Sequence, residues 1–215
     1  MFQGLGRAHD PNLLYTATLW RESRQPNPRF LDTSLFKDLV LTPYREANFG
    51  LHTGPFLFEF QRHGMLPSEF VGKLDTFFGQ LPSDFSYAVE IRNAGVLGPL
   101  YRDMLASHGV AHVYNHWSFM PGLAEQHQKM EQFTAPFTVM RPLTLLKMSY
   151  EAAKKRAEPY TKIVGELPDM RNEAVVLIKN AIGHNRRAYV LVNNRLEGNA
   201  PSTVQALTDL LRAEN

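Results

Sequence analysis

The chain of 215 residues contains no cysteine. That excludes disulfides, thiolate metal ligands and a cysteine nucleophile, and it leaves any metal site to His, Asp, Glu or backbone oxygen. The absence also fits a reducing compartment. No apolar run approaches the roughly 18 residues of a membrane span. The opening segment MFQGLGRAHDPN lacks the apolar core of a signal peptide, so a cytoplasmic protein without membrane association is expected. Charge of one sign is scarce as well. A formal net charge of +2 and a pI near 8.8 fall far short of the basic excess that announces nucleic-acid binding. Lys154, Lys155 and Arg156 are interleaved with Glu151 and Glu158, the pattern of a solvated helix face. Nucleic acid is therefore a weakly supported partner. The phosphate loop, G-x-G-x-x-G after the first strand, G-x-S-x-G and H-E-x-x-H are all missing, and with them the signatures of nucleotide, hydrolase and zinc-protease chemistry.

No Ser/Gly-rich linker, internal repeat or low-complexity run divides the sequence, and residues 1–215 read as a single domain. Six short runs of β-formers alternate with helical spacing: Leu13 to Trp20, Pro55 to Phe60, Tyr87 to Ile91, Val110 to Tyr114, Phe137 to Met140 and Ala188 to Val192. Phe70, Val71, Leu74, Phe77 and Phe78 form an apolar stripe after Ser68, a candidate cap just past Pro67. Pro99 suits the first position of a helix that ends at Gly109. Further helices are expected over Ser34 to Leu41, Leu123 to Phe133, Ser149 to Ala157, Glu173 to Ile182 and Pro201 to Arg212. Strand then helix, repeated, predicts an α/β fold with a parallel sheet, either doubly wound or a β/α barrel. A closed barrel needs eight strands and roughly 250 residues, and six strands fall short of that.

In such folds chemistry gathers where strands end. Those positions hold Glu59 and Gln61, Glu90 with Arg92 and Asn93, Asn115 with His116 and Trp117, Arg141, and Asn193 with Asn194. Glu90 and Arg92 are two apart, so a strand would point both to one face. Either they form an internal ion pair that fixes packing, or Arg92 is a fork for an anion and Glu90 its orienter or a general acid/base. Arg141, just before Pro142, suits a strand end and could share an anion with Arg92 or neutralise a glutamate. His116 beside Trp117 offers a titratable ring next to a stacking surface, with a structural hydrogen bond as the alternative. His112 is expected to be packed. Of the adjacent Asn193 and Asn194, one is expected to enter the mouth while the other caps the turn through Asn199. His52, His63 and His116 with Glu59 and Glu90 are the residues from which a metal cluster could be built, but their spacing is not diagnostic and no metal is assigned. The sequence does not identify a cofactor.

Four blocks carry a family resemblance: YAVEIRN (Tyr87 to Asn93), GVAHVYNHWSFMPGLAEQ (Gly109 to Gln126), FTVMRPL (Phe137 to Leu143) and YVLVNNRLEGNAPSTVQAL (Tyr189 to Leu207). In order and spacing they resemble domain-of-unknown-function 72, also called YecE-like, with weaker similarity back through LYTATLWRE and NPRFLDTSLF. The resemblance implies an eight-stranded, TIM-type β/α barrel without an established activity. It marks Glu90, Arg92, Asn115, Trp117, Arg141, Asn193, Asn194, Gly198, Ala200 and Pro201 as motif positions. Family members begin with two further strand-helix units, so about six of eight strands are expected here, an N-terminally truncated barrel. Open edges would invite a homo-oligomer. A shortened reading frame, an intended fragment and completion by dimerisation are the competing explanations.

Three functional readings follow. The chain is an enzyme acting on an anionic or polyhydroxylated small molecule, with Glu90 and His116 as catalytic candidates and Arg92, Asn115, Trp117, Arg141, Asn193 and Asn194 as ligand-binding candidates. Alternatively it is a non-catalytic module that binds nucleic acid or protein, or an inactive fragment.

Overall fold

Five of the six β-forming runs become strands of one parallel sheet. The computed structural model of the chain describes residues 27–213, so the run Leu13 to Trp20 lies outside the described residues. The strands are β1 (Phe56–Phe60), β2 (Tyr87–Ile91), β3 (Ala111–His116), β4 (Phe137–Pro142) and β5 (Arg187–Val190). Their order in the sheet is their order in the chain, β1-β2-β3-β4-β5, and every pair is parallel. Among the described residues the sheet is not closed, since β1 and β5 each have one hydrogen-bonded neighbour.

The connections are helical. α1 (Thr33–Phe36) and α2 (Thr42–Glu46) are joined by a wide π-helical turn over Lys37–Leu41, and together they precede β1. α3 (Pro67–Gly79) joins β1 to β2, α4 (Pro99–Ser107) joins β2 to β3, and α5 (Leu123–Met130) joins β3 to β4. Between β4 and β5 lie α6 (Tyr150–Ala157) and α7 (Pro168–Gly183), and α8 (Asn194–Glu197) and α9 (Ala200–Ala213) complete the described chain. Among the described residues no helix is long and apolar enough to cross a membrane.

Alternation along the strands builds two unlike faces. On β1, Phe56, Phe58 and Phe60 are buried while Leu57 and Glu59 between them are half-buried. The three phenylalanines meet Phe36, Phe70, Phe77 and Tyr87 in an aromatic core packed largely edge-on, with Phe36 to Phe58 at 4.9 Å and Phe58 to Phe77 at 5.2 Å. A second core sets Tyr114 and Met140 against Leu123, Met170, Leu177 and Leu207 from α5, α7 and α9. The other face carries a smaller apolar set, Ala88, Ala111, Val113, Phe137 and Val139, flanked by Leu57 and Tyr189. The central strands β2 and β3 are buried throughout, as parallel strands covered on both faces are.

Element ends depart from expectation in ways the chain explains. Pro67 itself opens α3 after Leu66, so Ser68 lies inside the helix and not at its cap. A proline at the first helical position supplies a fixed φ and lacks only an amide that would be orphaned there. α5 stops at Met130 and does not reach Phe133, because Glu131 takes a left-handed φ of 59°. The turn brings Phe133 onto His127 at 4.9 Å and onto the edge of Tyr114. α7 begins at Pro168, ahead of Glu173, again with proline in its first turn. β3 runs two residues past Tyr114 because Asn115 and His116 pair with Arg141 and Pro142. β5 starts and ends earlier than expected, at Arg187 and Val190.

Candidate functional site

Four ionisable side chains converge at the carboxyl ends of three strands. Glu59 on β1 and Glu90 on β2 are register partners, so their carboxylates stand side by side. Arg92 continues β2, its backbone N–H donating to Phe60 O, and by alternation it projects to the same face as Glu90. Arg141 is the fifth residue of β4, paired with Asn115. Arg141 Nη1 donates to Glu59 Oε2 at 3.1 Å and to Glu90 Oε2. Arg92 Nη2 lies 2.6 Å from Glu90 Oε1 and 3.4 Å from Glu59 Oε1. The 2.6 Å contact is an ion pair without hydrogen-bond alignment, since Glu90 Oε1 receives no hydrogen bond. Each guanidinium thus touches both carboxylates. Gln61 Nε2 adds a hydrogen bond to Glu59 Oε1 at 2.6 Å.

Burial sets the electrostatics. Glu90 is 0% exposed and Arg92 is 5% exposed. Burial pushes the Glu90 carboxyl up to about 7, against the pull of Arg92 and Arg141, and the neighbouring charge of Glu59 adds to the rise. For Arg141, burial opposes the charge while Glu90 and Glu59 favour it, and the net direction is upward. The indole of Trp117 covers Arg92, with the guanidinium carbon 4.1 Å from the ring centroid.

Asn115 is fully buried, and its Nδ2 donates to Ile91 O at 2.9 Å. Its backbone is clamped by Gln126, which donates from Nε2 to Asn115 O at 2.6 Å and accepts at Oε1 from Asn115 N–H at 3.3 Å. The same Gln126 Oε1 lies 3.3 Å from His112 Nε2, and His112 Nδ1 lies 3.4 Å from Tyr101 Oη. A carbonyl oxygen can only accept, so His112 carries its proton on Nε2 and Tyr101 donates to Nδ1. Burial lowers His112 to about 4. His112 is packed, as expected.

His116 goes elsewhere. Adjacent strand residues face opposite ways, so it projects to the helix-covered side, away from Glu90 and Arg141. There its Nδ1 donates to Thr144 O at 2.7 Å, and burial lowers its pKa. The structure does not bring His116 together with Glu90.

Asn193 and Asn194 lie beyond β5. Asn193 Oδ1 caps α8 by accepting from Arg195 N–H at 3.0 Å, and Asn194 Oδ1 accepts from Ala200 N–H at 2.8 Å. Both amide oxygens therefore serve the turn. The buried acid of this turn is Glu197, 0% exposed. It accepts from Leu167 N–H at 2.5 Å, from Arg171 Nε and Nη2 at 3.2 and 3.0 Å, and from Thr203 Oγ1 at 2.7 Å. Gly198 follows with φ 115°, and a Cβ there would lie 2.5 Å from Lys162 O.

The inner face also holds a cavity of about 580 Å³ between the β1 and β5 sides, walled by Tyr44, Leu57, Tyr189 and Leu191 and reaching Glu59 and Arg141. Among the described residues no group of three or more His, Asp or Glu converges to hold a metal ion.

Compared with known sequences, residues 18–215 match the model of the family described as "Protein of unknown function DUF72". The chain belongs to the DUF72 family. No curated protein matches the sequence. Among solved structures, the chain is similar to a DUF72 family protein of Thermotoga maritima MSB8, at 17% identity and a TM-score of 0.56, over 84% of this chain and 65% of that one. It is also similar to a DUF72 family protein of Enterococcus faecalis V583, at 14% identity and a TM-score of 0.55, over 84% of this chain and 68% of the other. The chain thus spans just under two thirds of the Thermotoga chain's length, and likeness at these identities establishes a shared fold.

Within this DUF72 chain the sequence pattern marked Glu90, Arg92, Asn115, Trp117 and Arg141, which the fold does gather. It placed Glu59 at a strand end as a carboxylate an arginine could neutralise and as one member of an unassigned metal set, and the structure shows the first, with Glu59 meeting Arg141 82 residues away. Gln126 and the Glu197–Arg171 pair were passed over, because nothing local shows what they meet. The available signal was polarity on an otherwise apolar helix face, Gln126 one turn from Leu123 and from Met130, and a carboxylate directly after Leu196 at Glu197.

Proposed function

We propose that this DUF72 chain is an acid/base enzyme acting on an anionic or polyhydroxylated small molecule at the carboxyl-end mouth of a β/α barrel, with Glu90 as the proton-transferring group. The observation that carries the reading is Glu90 itself: a wholly buried carboxyl at a strand end, beside its register partner Glu59 and held by two arginines. A carboxyl near 7 is present in both protonation states at neutral pH, which is what general acid/base catalysis requires. Arg92 and Arg141 supply preorganised positive charge for an oxyanion developing on the substrate. Trp117 holds the Arg92 guanidinium in place. His116, turned to the other face, has no part in this mechanism.

The barrel reading draws support from the sheet. Sequential strand order with parallel pairing places successive right-handed crossovers on one side of the sheet, whereas a doubly wound sheet reverses its order. On this reading residues 1–215 belong to one barrel-type domain of a cytoplasmic protein. A nucleic-acid module finds less support, because a formal net charge of +2 falls far short of the basic excess that phosphate-driven binding needs.

The test is turnover with and without the Glu90 proton. Wild type and Glu90→Gln, each verified as folded by circular dichroism, are incubated with a panel of sugars, sugar phosphates and hydroxy acids and followed by proton NMR. The proposal expects conversion of at least one compound by wild type and a drop of at least 100-fold in the variant. Conversion that survives Glu90→Gln, or none by wild type, contradicts it.

A further inference from the structure

The unmet hydrogen-bonding groups of the cluster are of both kinds. Arg92 has Nε and Nη1 buried without a hydrogen-bond partner, and Glu90 Oε1 and Asn115 Oδ1 are in the same state. All three residues are more than nine-tenths buried. The Asn115 amide cannot be turned round to relieve this, because its Nδ2 donates to Ile91 O and a carbonyl oxygen could not take that place. A ligand that completes the site must therefore offer acceptors to Arg92 and a donor to Asn115. A hydroxyl does both, so every group on a polyol ring can serve either need, while hydrogen phosphate, the form present near pH 8, has one O–H against three oxygens that only accept. Buried polar groups left unpaired are costly, so a ligand that pairs them gains where one that pairs only half of them does not.

The charges point the same way. With both glutamates ionised, two carboxylates and two guanidiniums cancel, and each guanidinium already contacts both carboxylates. An anion would have to take an arginine away from a buried carboxylate and leave that carboxylate uncompensated. The cavity that reaches Glu59 and Arg141 is walled by Tyr189 and Leu57, an aromatic and an aliphatic surface that suit the C–H faces of a ring.

We infer, resting on the reading of this cluster as a ligand site, that its ligand is an uncharged polyhydroxylated ring of the sugar class. Its hydroxyls accept from Arg92 and donate to Asn115 Oδ1. The site discriminates against simple anions while Glu59 and Glu90 are both ionised.

The test uses the full chain at pH 8 with D-glucose, D-xylose, myo-inositol and inorganic phosphate as probes. Saturation-transfer NMR reads the polyols and phosphorus line broadening reads phosphate. At least one polyol is expected to bind wild type and phosphate is not. Glu59→Gln, which removes one negative charge from the balanced set, is expected to gain phosphate affinity at least tenfold, and Asn115→Leu to lose the polyol. The wild-type comparison of polyol with phosphate decides the ligand class even where a substitution unfolds the chain. Phosphate binding by wild type with no polyol bound overturns the ligand class and leaves the site reading standing. Polyol binding unchanged in a folded Asn115→Leu overturns the placement. No binding of any probe overturns both.

Discussion

Glu90 illustrates how a single position couples burial, charge and chemistry. The sequence YAVEIRN shows a glutamate two residues before an arginine inside an apolar strand, and that pattern alone places both on one face and makes a pair necessary. What it does not show is the second arginine and the second glutamate, which arrive from β4 and β1 through the sheet register. His116 misled for a related reason. Adjacency to Trp117 suggested a shared mouth, but strand pairing runs through Asn115 and His116, and alternation then sends the histidine to the helices. The raised Glu90 value has a signed consequence for stability. An unfolded glutamate releases its proton near 4.5, the folded one near 7. The contribution is therefore fully present below about pH 4.5 and is lost as pH rises through 7, on the order of 3 kcal/mol in all. Glu90→Gln, a neutral isostere, lacks this loss. Its melting temperature minus that of wild type should grow by several degrees between pH 5 and pH 8 in calorimetry. The acid-side loss from His112, whose pKa burial lowers to about 4, is common to both proteins and cancels in the difference. A difference that stays flat with pH would contradict the assignment.

At the scale of elements, the turn after β5 is best understood as a structural joint. NNRLEGNAP was legible as a turn that opens a helix, from its Asn, Gly and Pro residues. Its central acid was not legible, because the partners of Glu197 come from the approach to α7, from α7 itself and from α9. Glu197 ties these elements together, and Gly198 passes so close to Lys162 that no side chain fits. Glu197→Ala leaves Arg171 buried with only the exposed Glu166 as a charged partner and should cost about 3–5 kcal/mol by urea denaturation. A cost below about 1 kcal/mol would show the joint to be dispensable. Helix starts with proline, at Pro67, Pro99 and Pro168, fall where fixed φ favours them. The early end of α5 was hidden, because it depends on Phe133 finding His127.

Over the whole molecule, the alternation of strand and helix was enough to indicate a parallel α/β sheet, and the order β1 to β5 follows the chain. The division of labour between faces was not legible. Phenylalanine crowds the helix side of β1 and β2, while alanine and valine line the inner side of β2 and β3 beneath the charged cluster. Burial falls off across the sheet: β2 and β3 are buried throughout, whereas β5 begins at an exposed Arg187 and has no fully buried residue. Amide hydrogen exchange should therefore be slowest in β2 and β3 and fastest, among strands, in β5. Equal protection across all five would contradict that gradient.

The proposed chemistry requires that Glu90 hold a proton near neutrality inside a paired charge cluster. Carbon NMR of the glutamate side chains, with Glu90 assigned through Glu90→Gln, reads that proton directly. A Glu90 carboxyl midpoint near pH 7 is the predicted result, and a midpoint at or below 4.5 would contradict the account.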